Sequence, residues 1–256
     1  RGPDRSTGMT AAGDSGPKAG RGFPWMVLVV GLAALAILFG LGTWQVERLA
    51  WKEALIATIA QRIASAPRPL ADIERLYAET GDVDYWPVSL QGTFRHDHES
   101  HFLATWNGAS GYYVYTPLDL PDGRSILVNR GFVPFDRKEA STRPEGQVEG
   151  EVEITGLARN PLAEKPSWIV PDNDLAKNVF YWKDIAAMSG RANVDREHLV
   201  PFFVDAGSAP NSGGLPVGGV TMIDMPNNHL QYAVTWYGLA AALVVILAVF
   251  IRGRVR

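Results

Sequence analysis

Three of the chain's five histidines crowd into one heptapeptide, Arg95-His96-Asp97-His98-Glu99-Ser100-His101. In an extended segment His96 and His98 point to one side and His101 to the other, so two imidazoles share a face and could take a copper-type ion. The competing reading is a solvated turn between two strands. A second constellation lies near the other end of the chain, Pro226-Asn227-Asn228-His229-Leu230-Gln231-Tyr232. Either asparagine suits a helix start. On the helix that follows, His229 shares a face with Tyr232, Ala233 and Trp236 at spacings of three, four and seven. An imidazole flanked by aromatic rings can ligate haem iron, although an ordinary aromatic belt at a membrane surface uses the same residue types.

A partner for His229 stands far upstream, in the segment LGTWQVERLAWK at residues 41–52. Trp44, Gln45 and Arg48 leave their hydrophobic run at the same depth as His229, so that a base and a cation face one another if the two helices pack. A guanidinium there suits a carboxylate such as a propionate. Snorkelling of Arg48 to lipid phosphates is the alternative.

These residues are positioned by two apolar runs. Residues 24–44 contain no charge over 21 positions and residues 230–251 none over 22, each enough to cross about 30 Å of hydrocarbon. The first is too long for the core of a cleaved signal peptide, and its A-x-A lies in mid-run, which favours an uncleaved anchor. The predicted organisation is a disordered basic tail at 1–22, a transmembrane helix at 23–45, an extramembrane domain at 46–228, a second transmembrane helix at 229–251 and a basic tail at 252–256. Arg1, Arg5, Lys18 and Arg21 precede the first span and Arg252, Arg254 and Arg256 follow the second. Positive charge at both outer ends places both termini in the cytoplasm and the domain in the periplasm, or in the intermembrane space if the membrane is mitochondrial.

Within the domain, a helix at 46–64 continues the first span until the Pro67 and Pro69 region stops it, and a short helix is predicted at 71–79. Period-two patterning then predicts strands at 86–95, 100–105, 112–118, 125–134, 151–159 and 199–205, with a short helix at 183–189. Asp122-Gly123 reads as a two-residue hairpin turn, and residues 207–220 as a flexible loop. Without helical crossovers, an antiparallel β barrel or sandwich is expected, giving a membrane protein of the α+β class. Composition narrows the chemistry. There is no cysteine, which excludes disulfides, thiolate catalysis and zinc-thiolate or iron–sulfur sites. A net charge of −3 argues against nucleic acid as a partner. The P-loop, the dinucleotide-binding glycine motif and G-x-S-x-G are all missing from the sequence, so a non-enzymatic role is expected.

The run LGTWQVERLAWK, GYYVYTPL at 111–118, VNRGFVP at 128–134, FYWKD at 180–184 with Met188, and NNHLQYAVTWYG at 227–238 together resemble the Surfeit-locus protein one family. The likeness extends from Gly42 to Gly238 in order and between the same two helices. It implies an assembly factor for cytochrome c oxidase that handles haem a on its way to subunit I. It also implies the other oxidase subunits, haem a synthase and the lipid bilayer as partners. His229 is then the iron ligand, with Tyr232, Trp236, Trp44, Gln45 and Arg48 around the macrocycle. Asn129 and Arg130 of VNRG either orient the domain or merely build a hairpin. A structural accessory protein of a respiratory complex without haem, and a copper-binding module built on His96 and His98, are the alternatives.

Overall fold

The structure is a computed structural model that describes residues 25–223 and 225–255; the expected tail at 1–22 lies outside them. Two helices are long and apolar enough to cross a membrane: α1, Trp25–Ile63, and a second at His229–Val255. Their outward side chains, among them Val29, Val30, Ile246 and Val249, are exposed. Such surface is stable only against lipid. The protein is a membrane protein with two spans.

The chain forms two compact units, one made of α1 up to Lys52 with the C-terminal helix, the other of Glu53–Pro226. In the second unit the final turns of α1 are held by Arg62, whose guanidinium donates to the Asp82 carboxylate and the Asp84 carbonyl, each at 2.9 Å. The strand β1, Arg68–Pro69, and helix α2, Leu70–Thr80, follow. A left-handed Gly81 ends α2, its N–H capping the Tyr77 carbonyl.

Five strands then close a barrel: β2, Pro87–Phe94; β4, Ala109–Asp119; β5, Ser125–Pro134; β6, Glu151–Arg159; and β7, Leu199–Ala206. The order around it is β2-β6-β7-β5-β4, and Thr93↔Asp119 with Phe94↔Leu118 joins β4 back to β2. β1 adds to β2, and β3, Ser100–Trp106, adds to β4. Closure removes most free edges. Alternate residues of the strands fill the interior, including Leu90, Leu118, Ile126, Val128, Phe202 and Val204, and Ile73 of α2 packs with them. The opposite face of β4, β5 and β7 is covered by Phe180 and by Met188 of helix α3, Ile185–Arg191, which pack on Tyr115, Leu127 and Phe203. β5 is therefore buried on both faces, with apolar Ile126–Val128 and Phe132–Val133 flanking the buried polar Asn129 and Arg130.

The expected barrel is present with one refinement to its pairing, and two further expectations need correction. The pairing is antiparallel except where β5 meets β7, and β1 meets β2, in parallel. The β5–β7 pair is possible because the long connection from β6, containing α3, brings β7 back between β6 and β5. The β4–β5 connection turns through three residues, 121–123, inside a hydrogen-bonded Leu120–Arg124 pair, rather than through two. The Gly123 N–H bonds the Leu120 carbonyl and the Leu120 N–H bonds the Arg124 carbonyl, a type I turn closed by Gly123 at φ 85°. Residues 207–220 are tied down. Val217 exchanges two 2.9 Å hydrogen bonds with Phe132, and the Gly207 N–H bonds Thr155.

Candidate functional site

In the first unit, α1 and helix α4, His229–Val255, run antiparallel. Small residues at the seam let them approach. A methyl group at Gly31 would stand 2.7 Å from the Leu247 side chain, and one at Gly42 2.9 Å from the Tyr237 ring. Ala233, Ala240 and Leu247 are buried at intervals of seven, the spacing that keeps one stripe on a neighbouring helix. Thr43 and Tyr237 share a hydroxyl–hydroxyl contact of 3.1 Å.

At the end of this seam Gln45 is buried, and its Oε1 lies 2.7 Å from His229 Nδ1. An amide oxygen only accepts, so His229 carries its proton on Nδ1 and leaves Nε2 as the nitrogen with a free lone pair. Anchoring one ring nitrogen while leaving the other basic is how proteins present a histidine to a metal. Trp44 and Tyr232 are each 54% exposed, and Trp236 is half-buried. The donor set and the open aromatic surface fit a haem edge. Arg48 does not meet His229; its guanidinium lies 3.8 Å from the centroid of the Trp51 ring, held by cation–π attraction. Asn228 contributes to the helix start through its carbonyl, which accepts from the Tyr232 N–H at 3.2 Å.

The upstream histidines separate. Residues His96–His98 form a 3-10 turn rather than an extended segment, so the expected shared face does not arise. His96 Nε2 donates to the Val148 carbonyl and its Nδ1 accepts from Arg130; His98 Nδ1 donates to the Arg191 carbonyl; His101 Nδ1 accepts from Asn178. Among the described residues no three His, Asp or Glu are grouped to hold a metal ion.

The heptapeptide instead builds a buried ionic network. Glu99 makes a bidentate pair with Arg143 and stands 3.7 Å from Arg130, and all three are buried. Arg130 also lies over Phe94, with 4.8 Å to the ring centroid, and donates to the Gly146 carbonyl. Its neighbour Asn129 donates to Asp205, which also accepts from Arg159 and Thr221. VNRG thus serves structure in this domain.

Burial, assisted by the cations Lys138 and Arg143, pushes the His101 imidazole down to about 3. Its proton is bound more readily by the unfolded chain, near 6.5, so stability is lost as pH falls from about 6.5 towards 3. Between pH 7 and pH 5 the loss through His101 alone is expected to be about 2 kcal/mol. Thermal unfolding of the full chain across that range should show it, and His101→Gln should flatten the pH dependence. An equally steep slope in the variant would assign the loss to other groups.

The sequence carried no period-based signal for Gly31 and Gly42 as contact points inside an apolar run. The small-x-x-x-small spacing of membrane helices does not mark them either, since Val27 and Leu35 flank Gly31, and Leu38 and Val46 flank Gly42, at four residues. Comparison with known proteins bears on the whole arrangement. A model of the SURF1 family matches residues 32–241. Surfeit locus protein 1 of Homo sapiens is 38% identical over 236 residues, covering 85% of this chain and 74% of that protein. The Xenopus tropicalis protein of the same name is 37% identical over 235 residues, covering 85% and 72%. A SURF1-like protein of Monosiga brevicollis is 36% identical over 248 residues, covering 92% and 89%. With its two apolar helices, its closed barrel and this likeness through most of its length, the chain belongs to the SURF1 family.

Proposed function

We propose that this protein is an assembly factor for haem–copper cytochrome c oxidase that holds haem a at the outer mouth of its paired helices during maturation of subunit I. Membership of the SURF1 family supports the broader role in oxidase assembly. The observation that carries the finer reading is the 2.7 Å bond between His229 Nδ1 and Gln45 Oε1, which fixes the tautomer and leaves Nε2 available. In this reading His229 would hold the haem iron through Nε2. Gln45 orients the imidazole. Trp44, Tyr232 and Trp236 cover apolar ring surface, and Arg48 leaves Trp51 to offer its guanidinium to a propionate. A bound haem a supplies iron that accepts the imidazole lone pair, and its isoprenoid tail belongs in lipid. One histidine at a shallow site suits a hold that must be released.

The docking partners in this reading are subunit I, other oxidase subunits and haem a synthase. The membrane is the bacterial inner membrane, with both termini cytoplasmic and the barrel periplasmic, or the mitochondrial inner membrane in a eukaryote. No catalytic step is assigned to the chain.

The test is an absorption spectrum of the full protein purified from cells that make a-type haem. The wild type is expected to show a Soret band that His229→Ala abolishes or shifts. Arg48→Ala should keep the band position and weaken retention by about 1.5–3 kcal/mol, a charge-assisted hydrogen bond. Arg48→Lys should restore part of that. A colourless wild-type protein that still co-purifies with oxidase subunits would replace the haem role with a structural one.

A further inference from the structure

The connection between β6 and α3 carries an apolar projection that none of the site residues uses. At its tip the Val170 N–H bonds the Ser167 carbonyl at 3.2 Å and the Ser167 hydroxyl accepts from the Ile169 N–H at 3.3 Å, forming a β-turn. Its two central residues are Trp168, 88% exposed, and Ile169, 71% exposed. Residues 166–171, PSWIVP, contain no charge.

The base of this projection is clamped. Lys165 and Asp172 pair across it at 2.6 Å. Asn173 Oδ1 accepts from the N–H groups of Tyr181 and Trp182, Asp174 and Val179 form a bridge, and Phe180 joins β3 through bonds with His101 and Leu103. A tryptophan and an isoleucine side by side at the tip of a fixed turn leave apolar surface in water that folding could have buried, which marks a contact surface.

We infer that the Trp168–Ile169 turn is a membrane-surface wedge that rests in the headgroup region of the bilayer. Covalent continuity selects the occupant. The barrel unit begins at Glu53 directly after one span-bearing segment and ends at Pro226 directly before the other, so a bilayer is within reach of this domain at all times. An uncharged tip bearing an indole, with its nearest charges paired to each other, matches the headgroup boundary, where tryptophan is favoured.

The protein contains no cysteine, so Ile169→Cys in the full chain carries a single bimane label. The labelled protein is placed in phosphatidylcholine nanodiscs, with and without lipid bearing a nitroxide in the upper acyl chain, and aqueous iodide is titrated separately. The expected result is at least twofold quenching by the nitroxide lipid and iodide quenching below half of that in the denatured chain. Adding Trp168→Ser should bring both readings towards those of a solvated site. Nitroxide quenching below twofold, or iodide quenching above that half, overturns the inference. Shielding that develops only after purified oxidase subunits are added also overturns it, in favour of a protein partner.

Discussion

Glu99→Gln is expected to destabilise the barrel unit by about 3–5 kcal/mol, the cost of removing one partner from a buried ion pair. The substitution barely changes shape, so the loss is electrostatic. Arg130 and Arg143, both buried, would then share a region with no counter-charge, and the carboxylate that receives two Arg143 nitrogens would become an amide with one acceptor oxygen. Burial, together with the neighbouring Arg143 cation, already holds the Arg130 guanidinium down at about 10 even with Glu99 opposing that shift. For a unit of this size the loss corresponds to a fall in Tm on the order of 10 °C, read by scanning calorimetry of the full chain in nanodiscs. The reference is Asp72→Ala, which breaks an exposed pair with Arg75 and should cost under about 1 kcal/mol. Equal effects of the two substitutions would mean that the Glu99 network is solvated and that its burial is illusory.

The same residues show why part of the protein was legible in its sequence. The strands at 125–134 and 151–159 coincide with β5 and β6, because period and burial determine them locally. The continuation of the first span as a helix follows from residues 46–63, which hold no breaker. The segments at 100–105 and 112–118 are two arms of one hairpin, turned by Asn107 and Gly108 at φ 49° and 79°. That Asn-Gly pair was the available signal. By contrast, the fate of His96, His98 and His101 depends on partners 34 to 93 positions away, Arg130, Val148, Asn178 and Arg191, and no spacing within the heptapeptide encodes them. The parallel β5–β7 ladder is non-local in the same way. At the helix pair, the common depth of Gln45 and His229 could be read from two hydrophobic runs. Which side chain of Trp44, Gln45 and Arg48 meets the imidazole is decided by rotation about the helix axis, and Gln45 lies on the stripe that continues Gly31 and Gly42.

Gly131→Ala is expected to be the most damaging single methyl group in the barrel unit. VNRG places Gly131 at φ 128°, outside the regions open to other L residues, and a Cβ there would stand 1.9 Å from the Val217 carbonyl oxygen. Neither contact can relax cheaply. Val217 is fixed by its two hydrogen bonds to Phe132, and the Gly131 N–H is held by Asn129 Oδ1. Backbone strain and overpacking each cost about 1–3 kcal/mol, so together they should remove about 2–6 kcal/mol and release residues 207–220 from the barrel. Gly123→Ala separates the two contributions. Gly123 is also left-handed, at φ 85°, but a methyl group there meets nothing within 4 Å, so only conformational strain of about 1 kcal/mol is expected. Limited proteolysis should cut near residues 207–220 far faster in Gly131→Ala than in the wild type, while Gly123→Ala keeps nearly normal resistance there. Should the two variants lose stability equally, with no new cleavage, the close approach of the 207–220 segment to β5 is not what requires glycine at position 131.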